Sequence, residues 1–332
     1  DTESAVRYGG GTSEFFPVHT GVRQGCVLAP SLFSVCMDWI MGRTVSSSSL
    51  GASFGDERFT DLDFADDAVI LAETMEVLVA SLDVLSMESE SLGLRVSWVK
   101  TKIQKFIQAV DQVSSVSCCG EEVDVVDVFP YLGCQITPDG KSEREINRRV
   151  GLAWGAMSQL GQRVWRSKYL SRGTKVDVFK RLVLPVLLYG CETWTLTEVL
   201  KRRLDSFGTS SLRRILGYRW YDFKSNDRLL EETSMKNISE LVFERQMSMF
   251  GHAARLSPND PAHRILSCGN PQGWKRGRGR PPNTWLKQME GFCRRAGTDR
   301  ERAWALAKED APAYRVWWRA AAKAPITVVQ AP

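Results

Sequence analysis

Two adjacent carboxylates, Asp66 and Asp67, sit between two strand-like runs within Phe59 to Ala72. Like charges side by side resist ionisation unless a cation or water satisfies them. Phosphoryl-transfer chemistry uses such a site, because two divalent cations roughly 4 Å apart activate the attacking oxygen and neutralise the leaving one. Magnesium takes a few carboxylates and completes its shell with waters and phosphate oxygens. The dipeptide has a second explanation as a polar hairpin tip, since Asp favours turns. Taken alone, it does not choose between them.

Other segments bear on the choice. Upstream lies Gly21-Val22-Arg23-Gln24-Gly25-Cys26-Val27-Leu28-Ala29-Pro30-Ser31-Leu32-Phe33. Downstream lie Gly93-Leu94-Arg95-Val96, Lys100-Thr101-Lys102 and Tyr131-Leu132-Gly133. Each is weak by itself, but the set in this order and spacing closely resembles the palm of reverse transcriptases encoded by non-long-terminal-repeat retrotransposons. The run Leu187-Leu188-Tyr189-Gly190-Cys191-Glu192-Thr193-Trp194 is similar to a segment C-terminal to the palm in many such elements.

The resemblance implies roles at matching positions. Asp66 is expected as a metal ligand and Asp67 as its supporting carboxylate, with Mg2+ as the cofactor. Arg23, Gln24 and Gly25 are expected along the template and incoming-nucleotide path, where glycine lets the backbone approach a bulky ligand. A plain helix-entry turn explains the same loop. Lys100 matches a lysine near the incoming triphosphate, where its mobile charge and proton are useful; an ordinary surface lysine is the alternative. Tyr131, Leu132 and Gly133 match the primer grip, or a buried strand end. Ser97 stands where the family often has asparagine.

The implied partners are an RNA template, a DNA primer or product and deoxynucleoside triphosphates, with no membrane. The family's first catalytic aspartate belongs on a separate strand upstream of the Gln-Gly segment. Of the carboxylates before Gly21, Asp1, Glu3 and Glu14, none has that apolar strand context. The opening Asp1-Thr2-Glu3 lacks a methionine and starts inside an apparent element. The sequence therefore predicts a fragment of an RNA-directed DNA polymerase, inactive alone, or a non-catalytic nucleic-acid-binding remnant of a mobile element.

Several elements must position these residues. Val6, Tyr8, Phe15, Phe16 and Val18 around a glycine cluster predict a hairpin. Pro30 suits the first turn of a helix with Phe33, Cys36, Met37 and Ile40 inward. Phe59 to Ala72 predicts two strands around a tight turn. Met75 to Leu92 predicts an amphipathic helix closed by Gly93. Strand-like runs lie within Leu94 to Ile107 and Val123 to Ile136. Beyond Gly140 the pattern turns helical: a seam from Ile146 to Val164, a helix bent at Pro185, and one starting at a Thr195-x-x-Glu198 box and ending at Gly217. Another covers Ile238 to Ala254, and a last one carries Trp304, Trp317 and Trp318. The predicted class is α+β: an incomplete palm sheet with packed helices over 1–138, a helical thumb over 139–235, and a basic C-terminal region over 236–332.

The composition is that of a globular protein, with 43% hydrophobic and 25% charged residues and a net charge of +5. Scattered cysteines and the lack of a leader predict an intracellular protein, nuclear or cytoplasmic. His252, His263, Cys268 and Cys293 have poor zinc spacing, and His263 is predicted at the surface. Basic charge concentrates at Lys201, Arg202, Arg203, Arg213, Arg214 and Arg219, and in a Pro/Gly/Arg-rich arm with Lys275, Arg276, Arg278 and Arg280. Arginines between glycines can follow a phosphate backbone, although a solvated arm has the same composition. Deleting residues 272–282 should lower affinity for RNA or DNA and flatten its salt dependence. An unchanged titration would refute the contact.

Overall fold

A computed structural model describes residues 2–18, 21–23, 25–47, 49–106, 114–268 and 283–323. The chain divides into two compact units, residues 1–127 with 268–273, and residues 128–267 with 274–332.

Among the described residues, the first unit holds five strand pairs and two long helices. Strands β1 (Thr2–Ser4), β2 (Arg7–Tyr8), β3 (Gly11–Thr12) and β4 (Phe16–Val18) pair as β1–β4 and β2–β3. Helix α1 (Ala29–Ser46) comes next, with Pro30 in its first turn and Ile40, Met41 and Thr44 buried. Then come β5 (Ala52–Phe54), β6 (Glu57–Phe59), β7 (Asp61–Phe64) and β8 (Asp67–Ile70), paired consecutively. The Gly51 amide donates to Leu71 O at 2.8 Å, and Leu71 N to Thr60 O at 2.8 Å, which ties these two hairpins together. Helix α2 (Met75–Ser91) starts where Thr74 Oγ1 accepts from the Val77 amide. Strands β9 (Ser115–Cys118) and β10 (Glu121–Asp124) complete the unit. Its buried apolar cluster is small: Leu82, Ile103, Cys118 and Val123, with Leu78, Val79, Leu85 and Trp98 packed around them.

The α+β class holds, but the strands form separate two-stranded antiparallel pairs among the described residues rather than one sheet. The strand expected within Leu94 to Ile107 is also absent from its described part. The amides of Lys100 and Thr101 both turn back to Ser97 O at 2.9 Å, so the chain coils there. Only a parallel bridge, Ile103 to Val125, remains of that pairing, and Ile107 lies outside the described residues.

The second unit opens with the hairpin of β11 (Phe129–Tyr131) and β12 (Cys134–Ile136), then is helical. Its helices are α3 (Glu143–Gln159), α4 (Arg172–Val178), α5 (Leu184–Leu187), α6 (Glu198–Leu216), α7 (Asn226–Thr233), α8 (Ile238–Arg255), α9 (Pro261–Ser267), α10 (Trp285–Arg295), α11 (Arg300–Glu309) and α12 (Ala311–Lys323). The predicted seam is real: Ile146, Ala153 and Met157 are buried in one large cluster with Phe179, Leu187, Leu204 and Leu212. A second cluster gathers Met247, Phe250, Phe292, Tyr314 and Trp318.

Four details depart from the sequence-based expectation. The helix expected to bend at Pro185 instead passes through a π-helical turn, Phe179–Val183, just before that proline. Proline lacks an N–H, and a wide turn accommodates the lost bond. The cap of α6 is Thr197, whose Oγ1 accepts from Leu200 N at 3.3 Å; Thr195 donates its amide to Ser142 Oγ at 2.8 Å instead. The last helix is two, with Trp304 on α11 and Trp317 and Trp318 on α12. His263 is buried rather than superficial: its Nδ1 lies 3.1 Å from Ala253 O and its ring meets Trp304 edge-on. Among the described residues no helix is long and apolar enough to cross a membrane.

Candidate functional site

The β7–β8 hairpin carries the aspartate pair at its tip. Phe64 pairs with Asp67, leaving a two-residue loop of Ala65 and Asp66. Ala65 adopts φ +55°, a left-handed conformation costing about 1–2 kcal/mol for a residue with a Cβ. Tight hairpins require positive φ near this position because their twist must match that of the strands. Asp66 and Asp67 are both exposed.

Register divides the carboxylates. Directly paired residues share a face, so Asp67 lies with Leu62, Phe64 and Val69, while Asp61 and Asp63 lie with Ala68 and Ile70. Sequence reasoning missed this second acidic group, although the alternation Asp61-x-Asp63 within the strand was its signal. Partial desolvation, then the charges of Asp61 and of Asp38 on α1, push the Asp63 carboxyl up to about 6. The oxygen donors of Asp66 and Asp67 suit magnesium in kind. In number they fall short of a two-cation centre. Among the described residues no three His, Cys, Asp or Glu side chains converge to hold a metal ion.

The other sequence-derived residues scatter. Arg23 and Gly25 are exposed in the turns before α1, where Cys26 N donates to Arg23 O at 3.1 Å. Lys100 is exposed in the turn after α2. No described hydrogen bond or ion pair joins these groups to the aspartate tip. Gln24, Lys275, Arg276, Arg278 and Arg280 lie outside the described residues.

The Tyr131-Leu132-Gly133 turn belongs to the second unit and is held there strongly. Leu132 and Gly133 form its tip with φ +46° and +75°. Arg148 Nη2 donates to Gly133 O at 2.6 Å, and Arg149 Nη2 donates to the same oxygen. Glu145 orders both guanidinium groups: Arg148 Nε reaches it at 2.8 Å and Arg149 Nε at 2.6 Å. Its Oε2 also accepts from the Gln135 amide at 3.0 Å. Burial works to raise the Glu145 pKa, but the bonds from Arg148, Arg149 and Gln135 outweigh it and hold the carboxyl below its usual range.

Tyr189 closes the clasp from above. Its hydroxyl donates to Leu132 O at 2.8 Å, and its ring lies 4.5 Å from the Arg149 guanidinium. A Cβ on Gly133 would sit 3.3 Å from the Tyr189 ring, and one on Gly190 (φ +70°) would collide with Cys134 Sγ. The Leu187 to Trp194 run therefore packs directly on this turn. The same run is anchored behind by Gln246, whose Nε2 donates to Cys191 O at 3.2 Å and Trp194 O at 2.7 Å. Trp285 Nε1 donates to Glu192 O at 2.7 Å.

Residues 3–136 match the family model described as reverse transcriptase (RNA-dependent DNA polymerase). A transposon-derived protein of Caenorhabditis elegans is 28% identical over 236 residues, covering 69% of this chain and 84% of that protein. The RNA-directed DNA polymerase from mobile element jockey of Drosophila melanogaster is 23% identical over 223 residues, covering 65% of this chain and 24% of its own length. The retrovirus-related Pol polyprotein from type-1 retrotransposable element R2 of Popillia japonica is 22% identical over 227 residues, 65% of this chain and 30% of the polyprotein. These alignments are longer than the segment 3–136, so the likeness continues past Ile136 into the helical unit.

Two outcomes test the geometry. Asp63 binds a proton more tightly folded, at about 6, than unfolded, near 3.8, so its contribution to stability is greatest below 3.8 and is lost as pH rises through about 6. Asp63→Asn should raise the denaturation midpoint at pH 7 and remove this pH slope; an identical profile in both proteins would contradict it. Glu145→Gln strands two guanidinium groups, one of them buried, and should cost about 3–5 kcal/mol in equilibrium unfolding. A loss near zero would show that the clasp does not hold the turn.

Proposed function

We propose, from a chain whose residues 3–136 match the reverse transcriptase family model, that this polypeptide is part of an RNA-directed DNA polymerase of a mobile element that binds nucleic acid but does not extend a primer alone. The observation that carries the reading is the tight β7–β8 hairpin, inside the family-matched segment, with Asp66 and Asp67 adjacent at its tip.

Asp66 and Asp67 are the residues that would hold Mg2+, whose bound form supplies charge neutralisation on phosphate oxygens. They provide one carboxylate pair, and holding two cations in line takes further oxygen ligands beyond that pair. Arg23, Gln24 and Gly25 serve the template and nucleotide path, Lys100 the triphosphate, and Lys275, Arg276, Arg278 and Arg280 the nucleic-acid backbone. The Tyr131-Leu132-Gly133 turn serves the primer end. Glu145, Arg148, Arg149 and Tyr189 act on it as positioning residues, since they fix its carbonyls. Residues 1–138 serve as the palm part, 139–235 as the thumb and 236–332 as the basic C-terminal region.

A second reading, a nucleic-acid-binding remnant of such an element that has lost the polymerase role, shares the binding but not the nucleotide site. Purified chain with a primed RNA template, Mg2+ and deoxynucleoside triphosphates should bind the template–primer in a salt-dependent way and yield no extended product. Robust extension would overturn the predicted inactivity. Absence of any binding at low salt would overturn both readings.

A further inference from the structure

A cleft of about 680 Å³ opens in the second unit where the C-terminal end of α3 meets α6. Its lining includes Arg166, Arg213, Arg214 and Arg219, with Ser158 and Ser210 as neutral donors. No carboxylate lines it among the described residues. Four guanidinium groups around one opening repel one another, and their field is strongest where it is least exposed to solvent. An anion is the natural counterpart.

Local structure sharpens this. Arg213 is anchored: its Nη2 donates to Lys224 O at 2.7 Å and to Asn226 Oδ1 at 2.9 Å. Its Nη1 is buried and has no hydrogen-bond partner. Buried polar groups are nearly always satisfied, so the unpartnered Nη1 leaves Arg213, one of the cleft-lining arginines, short of an acceptor. One wall is the π-helical turn Gly161–Trp165, a distortion that recurs at functional sites. The nearby carboxylate of Glu232 is committed elsewhere, accepting from Tyr218 Oη at 2.7 Å and Arg172 Nη1 at 3.0 Å.

We propose that this cleft is a binding site for a phosphate-bearing ligand, taking two or more linked phosphates through Arg166, Arg213, Arg214 and Arg219. Arginine's planar fork matches phosphate oxygens in pairs, and the volume exceeds the needs of a single inorganic ion. The site's chemistry is independent of the aspartate hairpin. The phosphates are supplied either by a free diphosphate or by consecutive links of a nucleic-acid backbone.

The test uses the whole chain and two probes: inorganic diphosphate by calorimetry and a labelled RNA–DNA duplex by fluorescence anisotropy. Arg166 and Arg214 are exposed, so R166Q/R214Q should fold normally, checked by its thermal melt. That variant should bind at least one probe about tenfold more weakly. With the duplex, its slope of log affinity against log salt should fall by about two, about one per arginine. R166K/R214K keeps the charge and should retain most of the salt slope. Loss of diphosphate binding identifies a free-anion site, and loss of duplex binding alone identifies a backbone site; both support the proposal. R302Q/K308Q removes equal charge from α11 and should leave both affinities within about twofold. Unchanged binding of both probes by R166Q/R214Q, or an equal loss in the α11 variant, would overturn the site.

Discussion

The carbonyl oxygen of Gly133 accepts from two arginines that one buried glutamate holds in register. That constraint couples the hairpin of the helical unit to two of its helical segments. A carboxylate removed from water tolerates its position only when its oxygens are filled, and Glu145 has two guanidinium groups and a backbone amide to fill them. The arginines direct their remaining donors at the turn. The hairpin of β11 and β12 is thereby fastened to α3, and Tyr189 fastens it again from the next helical segment. Two successive residues with positive φ can then persist at the tip, because the surroundings over-determine them.

Much of this was legible in the sequence, and the failures have physical reasons. The aspartate hairpin, α1 with its early proline, α2 and the end of α6 at Gly217 all arise from local turn and capping chemistry. The start of α6 is ambiguous in sequence because both Thr195 and Thr197 precede a helical pattern. Only the tertiary bonds that the Thr195 and Leu196 amides donate to Ser142 Oγ and Gln288 Oε1 show that residues 195 and 196 stay outside the helix. The buried state of His263 depends on Trp304, about forty residues away, which no local pattern reports. The Glu145–Arg148–Arg149 group reads in sequence as a solvated helix face, since i, i+3 and i, i+4 pairs usually are. Its burial comes from the hairpin laid across it.

The candidate site divides the same way. Motif order located the Asp66–Asp67 tip and the Tyr131-Leu132-Gly133 turn, because each is a short turn with strong residue preferences. The second acidic face, Asp61 and Asp63, needed strand register to be seen. The arginine cleft needed two helices distant in sequence to be brought together, and a π turn that shifts one of them off the ordinary helical phase.

The two units bury apolar surface very unequally. Among the described residues, one has a contiguous cluster of only four buried side chains, with Ile40, Met41, Leu50 and Phe59 buried outside it, while Tyr8, Phe15, Val27, Phe64 and Val99 remain largely open to water. The other has two extensive clusters. Local opening free energy tracks packed contact density. Backbone amides of the β7–β8 hairpin will therefore exchange with deuterated solvent through frequent partial opening. Those of α3, α6 and α8 will wait for global unfolding. A protease added sparingly would erode the aspartate-bearing half first and leave a helical fragment behind.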